Sequence, residues 1–369
     1  MLKRWLAILA VAVAFLIGYI AANRQPAVQG QAMPASGAAV PSAVGNMELY
    51  GPYDVVADWP KDISTLPGNE KWTWGSGEGI FAESPNRVFI LQRGELPVLP
   101  RAGRGSNPYA SVNDMLSKIA PGAALPLMGL VRNATGASPP QTLDGPDGKA
   151  LNYDTDGSGK NGVDFNWENC LVVADANGNI VERWTQYDKD YRRPPSVFIS
   201  PYDPQKNVWV VDDYRHAIFK YTNDGKTKLL TIGTPNEHAS DDKHFFRPTF
   251  MAWQPDGSFY VADGYANTRV VKFDKDGKYI KAWGEKGTNE GQGAKLETRP
   301  NYFNNVHGVT IDPQNKEVYV NDRGNRRFQI FDENGTFKRT WSIEAPANIH
   351  FVHIGQDRQL TVFNNSTQH

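Results

Sequence analysis

Short apolar alternations separated by tight turns run through most of this chain, and they are clearest over residues 247–285, RPTFMAWQPDGSFYVADGYANTRVVKFDKDGKYIKAWGE. Two alternating runs flank a Pro-Asp-Gly turn. Asp263-Gly264-Tyr265 follows, then a third run, an Asp-Lys-Asp-Gly turn and a fourth run. Period-two apolar runs bounded by Gly, Pro, Asn and Asp predict strands. Four strands in about forty residues are one antiparallel sheet of propeller-blade length.

Other stretches repeat this unit. One copy begins RPPSVFI and reaches VVDDYRHAIFKY at 210–221; another begins NVHGVTI at 305–311 and reaches VNDRGNRRFQIF at 320–331. A further copy begins PANIHFVHI at 346–354 and ends with VFNNSTQH. The repeats are bounded at 193–234, 247–285, 302–342 and 346–369. Earlier in the chain, Trp72–Trp74, 87–91, 169–174 and 179–186 have strand composition, and the last two are assigned to the outer half of a first blade. Each unit has an apolar face that only a neighbouring unit can bury, so such repeats come as arrays. The fold expected is all-β, a six-bladed type of propeller over residues 47–369. His369 falls inside the fifth repeat, so truncation in blade five is expected, with a partner closing the ring as the alternative.

Composition sharpens this. The 34 Gly, 25 Pro and 11% aromatic residues suit many short strands and tight turns. A net charge of −1 provides no global field for nucleic acid. The single cysteine, Cys170, rules out an internal disulfide and sits in an apolar strand, as a buried thiol would. Lys3 and Arg4 precede an uncharged run over 5–22, so residues 1–24 read as a signal peptide or a membrane anchor. Either predicts export, to the periplasm or the cell exterior, with 25–46 as a disordered tether. Residues 101–167 lack a sustained period and read as a long insertion, with a helix candidate at 111–119 and a potential protein-interaction role at the cell surface. Within it, DTDGSGKNGVD at 154–164 has the Asp-x-Asp-Gly spacing of a structural calcium loop, without the closing Glu; a plain surface turn has the same spacing.

Aligning the copies gives two columns near the propeller axis. The first, at the start of each innermost strand, holds Pro195, Thr249, His307 and His350. The second, after each Val-x-Asp strand end, holds Arg93 (after Gln92), Asp213-Tyr214, Gly264-Tyr265, Arg323-Gly324 and Asn365-Ser366, and so gathers Arg93, Tyr214, Tyr265 and Arg323. Arginine and tyrosine together can hold a carboxylate and polarise a hydroxyl; they also serve as ordinary caps on blade edges. Imidazoles around an axis are candidate zinc ligands, and His307 and His350 share the first column.

The run from Asp263-Gly264-Tyr265 to Phe273, then Asn305-Val-His307-Gly and Asn321-Asp322-Arg323, resembles the propeller of peptidyl-α-hydroxyglycine α-amidating lyase, within the NHL-repeat propellers. The resemblance covers roughly 70–369 apart from the insertion. It implies a carbon–nitrogen lyase that cleaves N-acyl-α-hydroxyglycine peptides to an amide and glyoxylate with help from zinc. It further implies Tyr265 as base, Arg93 and Arg323 as carboxylate- and charge-holding residues, and His307 as a zinc ligand. His350 lies one blade out of phase with the family's alternating ligands, and Pro195 stands where another imidazole is expected. A propeller that binds a peptide or small acid without catalysis is the alternative.

Overall fold

Apolar residues at every position of the central strands, such as Val208–Val211 and Phe259–Ala262, require burial on both sheet faces. The computed structural model shows how. It describes residues 43–44, 47–48, 56, 58–98, 161–162, 165–288, 296–342, 348–354 and 360–365. The chain divides into two units, Met1–Ala57 and Asp58–His369. In the first, Ala43–Val44 pairs with Met47–Glu48. The 1–24 leader, the helix candidate at 111–119 and most of the calcium-like loop lie outside the described residues. Among those described, no helix is long and apolar enough to cross a membrane.

The second unit is an NHL-type β-propeller array. Four antiparallel blades of four strands follow one another, and Asn348–Ile354 paired with Leu360–Asn365 forms two strands of a fifth. Alternate side chains of each central strand pack against opposite neighbours. Val208 and Val210 join the core with blade one, whereas Trp209 and Val211 join the core with blade three. Phe259 and Val261 face blade two, and Tyr260 and Ala262 face blade four. This arrangement follows from the two-residue strand period and explains the continuous apolar runs.

Blade one differs from expectation. Its innermost strand is Gly77–Ser84, not Trp72–Trp74, which pairs with Glu95–Pro97 in a separate ladder. The sequence GEGIFAES hides this strand, because glycine and glutamate break its apolar alternation. The face of blade one turned away from blade two is covered by the segment after Asp58. Ile63 is fully buried there with Ile90, Val172 and Ala174.

The repeated Val-x-Asp ending closes a backbone circuit. Asp212, Asp263 and Asp322 accept hydrogen bonds from the N–H groups of Arg192, Phe246 and Asn304, one turn before each innermost strand. In blade one Gln92 takes this place, accepting from Gly75 at 2.8 Å. Asp263 and Asp322 also hold Arg269 and Arg327 at 2.8 and 2.7 Å. Each aspartate is fully buried, so the motif satisfies turn donors that water cannot reach.

Candidate functional site

The two columns follow from strand register. In blades one, three, four and five the innermost ladder slips by a bulge at the same place, around Glu78, Thr249, His307 and His350. A bulge re-aims the side chain it carries, so the first column is built into the sheet. The second column is fixed by a repeated backbone bond. The N–H groups of Arg93, Asp213, Tyr265 and Arg323 donate to the carbonyls of Ser76, Arg193, Arg247 and Asn305. Asp213, rather than Tyr214, therefore occupies the slot shared with Tyr265.

One insertion shapes the centre. Residues 213–216 and 323–326 join the second and third strands of blades two and four, while blade three uses 264–268, one residue more. The extra residue is Gly264. A Cβ built there would lie 1.3 Å from the Val306 carbonyl oxygen, so only glycine lets the blade-three turn lie against blade four. Tyr265 is thereby carried towards His307. Its hydroxyl lies 2.9 Å from Nε2 of His307, and the two rings meet edge-to-face with centroids 5.2 Å apart.

Arginines surround this pair. Arg193 and Arg247 both bind the buried carboxylate of Asp213, through Nε at 2.8 and 3.1 Å. The Arg193 guanidinium lies over the Tyr214 ring at 4.1 Å, and that of Arg247 lies 4.9 Å from Tyr214 and 4.6 Å from Tyr265. Arg93 donates to Glu78 at 2.7 Å. Burial, then the negative charge of Asp213, raise the pKa of the Tyr265 phenol, against the pull of Arg193, Arg323 and Arg93. The phenol therefore keeps its proton at neutral pH, and its hydroxyl is hydrogen-bonded to Nε2 of His307. Burial also raises the pKa of Glu78, against the pull of Arg93.

Four residues of the site were not singled out in the sequence: Glu78, Arg193, Asp213 in its own right, and Arg247. The signal for two of them is the Arg-Pro pair opening the innermost strands at 193–194 and 247–248. His216, in the loop joining the second and third strands of blade two, is half-buried, and its Nδ1 accepts the Arg247 N–H at 3.2 Å. Only the neutral ring can accept there. Burial and the neighbouring His238 lower its pKa to about 4. Because the folded value lies below the ordinary one of about 6.5, the stability His216 contributes is full above that pH and is lost as the pH falls towards the folded value. Melting temperatures at pH 7 and pH 4 should therefore fall further for the native chain than for His216→Gln; equal falls would contradict this.

No family model matches the chain. It is 38% identical over 176 residues to peptidyl-glycine alpha-amidating monooxygenase A of Xenopus laevis, covering 46% of this chain and 17% of that protein. It is 38% identical over 140 residues to peptidyl-alpha-hydroxyglycine alpha-amidating lyase 1 of Drosophila melanogaster, covering 37% and 25%. NHL repeat-containing protein 3 of Mus musculus is 28% identical over 199 residues, covering 50% and 53%. The chain is an NHL-type propeller similar to the amidating lyases. It spans a quarter or less of the length of these two amidating relatives and about half of the NHL repeat protein.

This NHL-type propeller brings Tyr265 and His307 into contact and sets Arg93 and Arg323 within electrostatic reach of the phenol. His350 occupies the ladder position of His307 one blade on, and its side chain is outside the described residues. Among the described residues, no three His, Cys, Asp or Glu side chains converge to hold a metal ion. In the first column Glu78 is held by Arg93 and Ser76, and Pro195 has no donor. The Thr249 hydroxyl donates across to the His307 carbonyl at 2.8 Å. His307 Nε2 faces the Tyr265 hydroxyl. The described donor set does not fit a zinc site of three imidazoles.

Proposed function

We propose that this propeller is a carbon–nitrogen lyase acting on N-acyl-α-hydroxyglycine, releasing the acyl amide and glyoxylate. The observation that carries the reading is the Tyr265 hydroxyl on His307 Nε2 beneath a ring of arginines. Similarity to proteins named as amidating lyases supports it.

The substrate carboxylate docks on Arg323 and Arg93, which places the carbinol hydroxyl at the phenol. Tyr265 oxygen takes the hydroxyl proton as Tyr265 passes its own to His307. The carbinol C–O bond becomes the C=O of glyoxylate, and the C–N bond breaks. The departing amide nitrogen takes a proton back from His307 through Tyr265, so the protein ends as it began. Arginines fixed beforehand stabilise negative charge developing on the carbinol oxygen without reorganising during reaction.

Full-length protein should release glyoxylate from N-benzoyl-α-hydroxyglycine faster than the buffer reaction, and the same assay after treatment with chelator reads whether a metal takes part. Loss of the rate on chelation, with recovery on adding zinc, would bring a metal held by His307 and His350 into the reaction. Tight binding of N-benzoylglycine with no glyoxylate release would overturn the lyase reading in favour of a non-catalytic acid-binding propeller.

A further inference from the structure

Blade three touches the backbone and the ring of His307 through one dipeptide, Thr249-Phe250. In the strand Pro248–Trp253 the ladder pairs Pro248 with Asp263 and Met251 with Val261, so Thr249 and Phe250 together stand opposite Ala262. That is a bulge, two residues against one. Strict alternation would put Thr249 on the face of Met251 and Trp253, which pack into the core shared with blade two. Phe250 faces the other way, with Ala252, onto the core shared with blade four. The bulge turns Thr249 to the same side as Phe250. Thr249 is fully buried there. Its hydroxyl oxygen lies 2.8 Å from the His307 carbonyl oxygen and 3.4 Å from that of Val306, both in blade four, and 3.1 Å from that of Ala262 in its own blade.

The His307 carbonyl belongs to a second bulge. In blade four Val306 pairs with Asp322 and Gly308 with Asn321, so the ladder passes over His307. A buried carbonyl outside a ladder needs a donor, and the Thr249 hydroxyl supplies one. The pattern recurs one blade back, where the Ser196 hydroxyl of blade two donates to the Thr249 carbonyl at 2.6 Å. Hydroxyls on one innermost strand thus hold the bulged backbone of the next, from blade two to blade four. The imidazole itself stands between two rings. Phe250 lies 5.4 Å from it and Tyr265 5.2 Å, centroid to centroid. Thr249 therefore bears on where the His307 main chain sits, and Phe250 on how the ring leans towards the Tyr265 hydroxyl.

We infer that the Thr249-Phe250 bulge is the positioning element for His307, with Thr249 acting through the main chain and Phe250 through the ring. The consequence for turnover rests on the lyase reading; the placement of the imidazole does not. Three variants of the full-length protein test it. Thr249→Val removes the hydroxyl and keeps the branched shape, Thr249→Ser keeps the hydroxyl, and Phe250→Leu leaves the backbone bonds in place, so it keeps the test open if Thr249→Val does not fold. The His307 ring signal is read by NMR of protein labelled at histidine Cε1, assigned with His307→Gln, and thermal melts show which variants are folded. Thr249→Val and Phe250→Leu should each move the His307 signal. Each should lower kcat for glyoxylate release by roughly 10–10²-fold, the cost of a misplaced reacting group. KM should change by less than about threefold, because the carboxylate-holding arginines are untouched. Thr249→Ser should return both the signal and, to within about threefold, the native kcat. An unmoved His307 signal in folded Thr249→Val or Phe250→Leu protein would overturn the proposal. So would a moved signal with native kcat, or a kcat lost equally in Thr249→Ser. Signals that move as expected in a protein that releases no glyoxylate keep the positioning role and remove the lyase.

Discussion

Tyr265→Phe should lower the rate of glyoxylate release by roughly 10²–10⁴-fold, the range for loss of a positioned proton-transfer group. The substitution keeps the ring that faces Arg247 and removes only the hydroxyl that meets His307. KM should therefore change little while kcat falls. His307→Gln should act through the same proton path, so the double variant should be scarcely slower than the worse single one, as for groups that work as a unit. Initial rates over a substrate series, with melting curves for each variant, read this directly. A Phe variant with near-native kcat would remove Tyr265 from the chemistry.

Gly264→Ala should produce the largest loss of stability of any single methyl addition near the site, about 3 kcal/mol or more by overpacking against a backbone that cannot rotate away. The added Cβ would lie 1.3 Å from the oxygen and 2.3 Å from the carbon of the Val306 carbonyl, with both atoms in the innermost strand of blade four. Chemical denaturation reads the loss, and an unchanged midpoint would contradict the packing described. Deleting Gly264 is the informative companion. It shortens the blade-three turn to the length used in blades two and four, so the blades should still form while Tyr265 is drawn away from His307. Retained folding with lost turnover is the expected pairing. Retained turnover would mean that the extra residue does not position the phenol.

Much of this was readable beforehand because blades are local. Their strands pair with sequence neighbours, so period-two apolar runs and the turns at Pro255-Asp256-Gly257 and Asp274–Gly277 specify each sheet with little help from elsewhere. The Val-x-Asp ending was legible as a repeat, although its task, capping the turn before the innermost strand, was not. Blade one was harder. Gly77–Ser84 has a weak pattern, and the two outer strands of its blade, from Leu171 onward, lie beyond a long insertion. The column containing Tyr265 was found by aligning repeats, but alignment left Tyr214 and Asp213 competing for one slot. The backbone bond from Asp213 to Arg193 decides between them.

The sequence alone thus determined the strand period, the repeat and part of the set of residues near the axis, Tyr265, His307, Arg93 and Arg323 among them, since these follow from short-range pairing. Only the tertiary structure decided which of those residues touch. Tyr265 and His307 are 42 positions apart on different blades, and their contact depends on a glycine accommodating a neighbouring carbonyl. Arg193 and Arg247 share Asp213 because two blades present the same position to one axis. Contacts between repeats depend on how sheets stack, and stacking is set by side-chain volume and backbone clearance across the interface, which strand patterns do not encode.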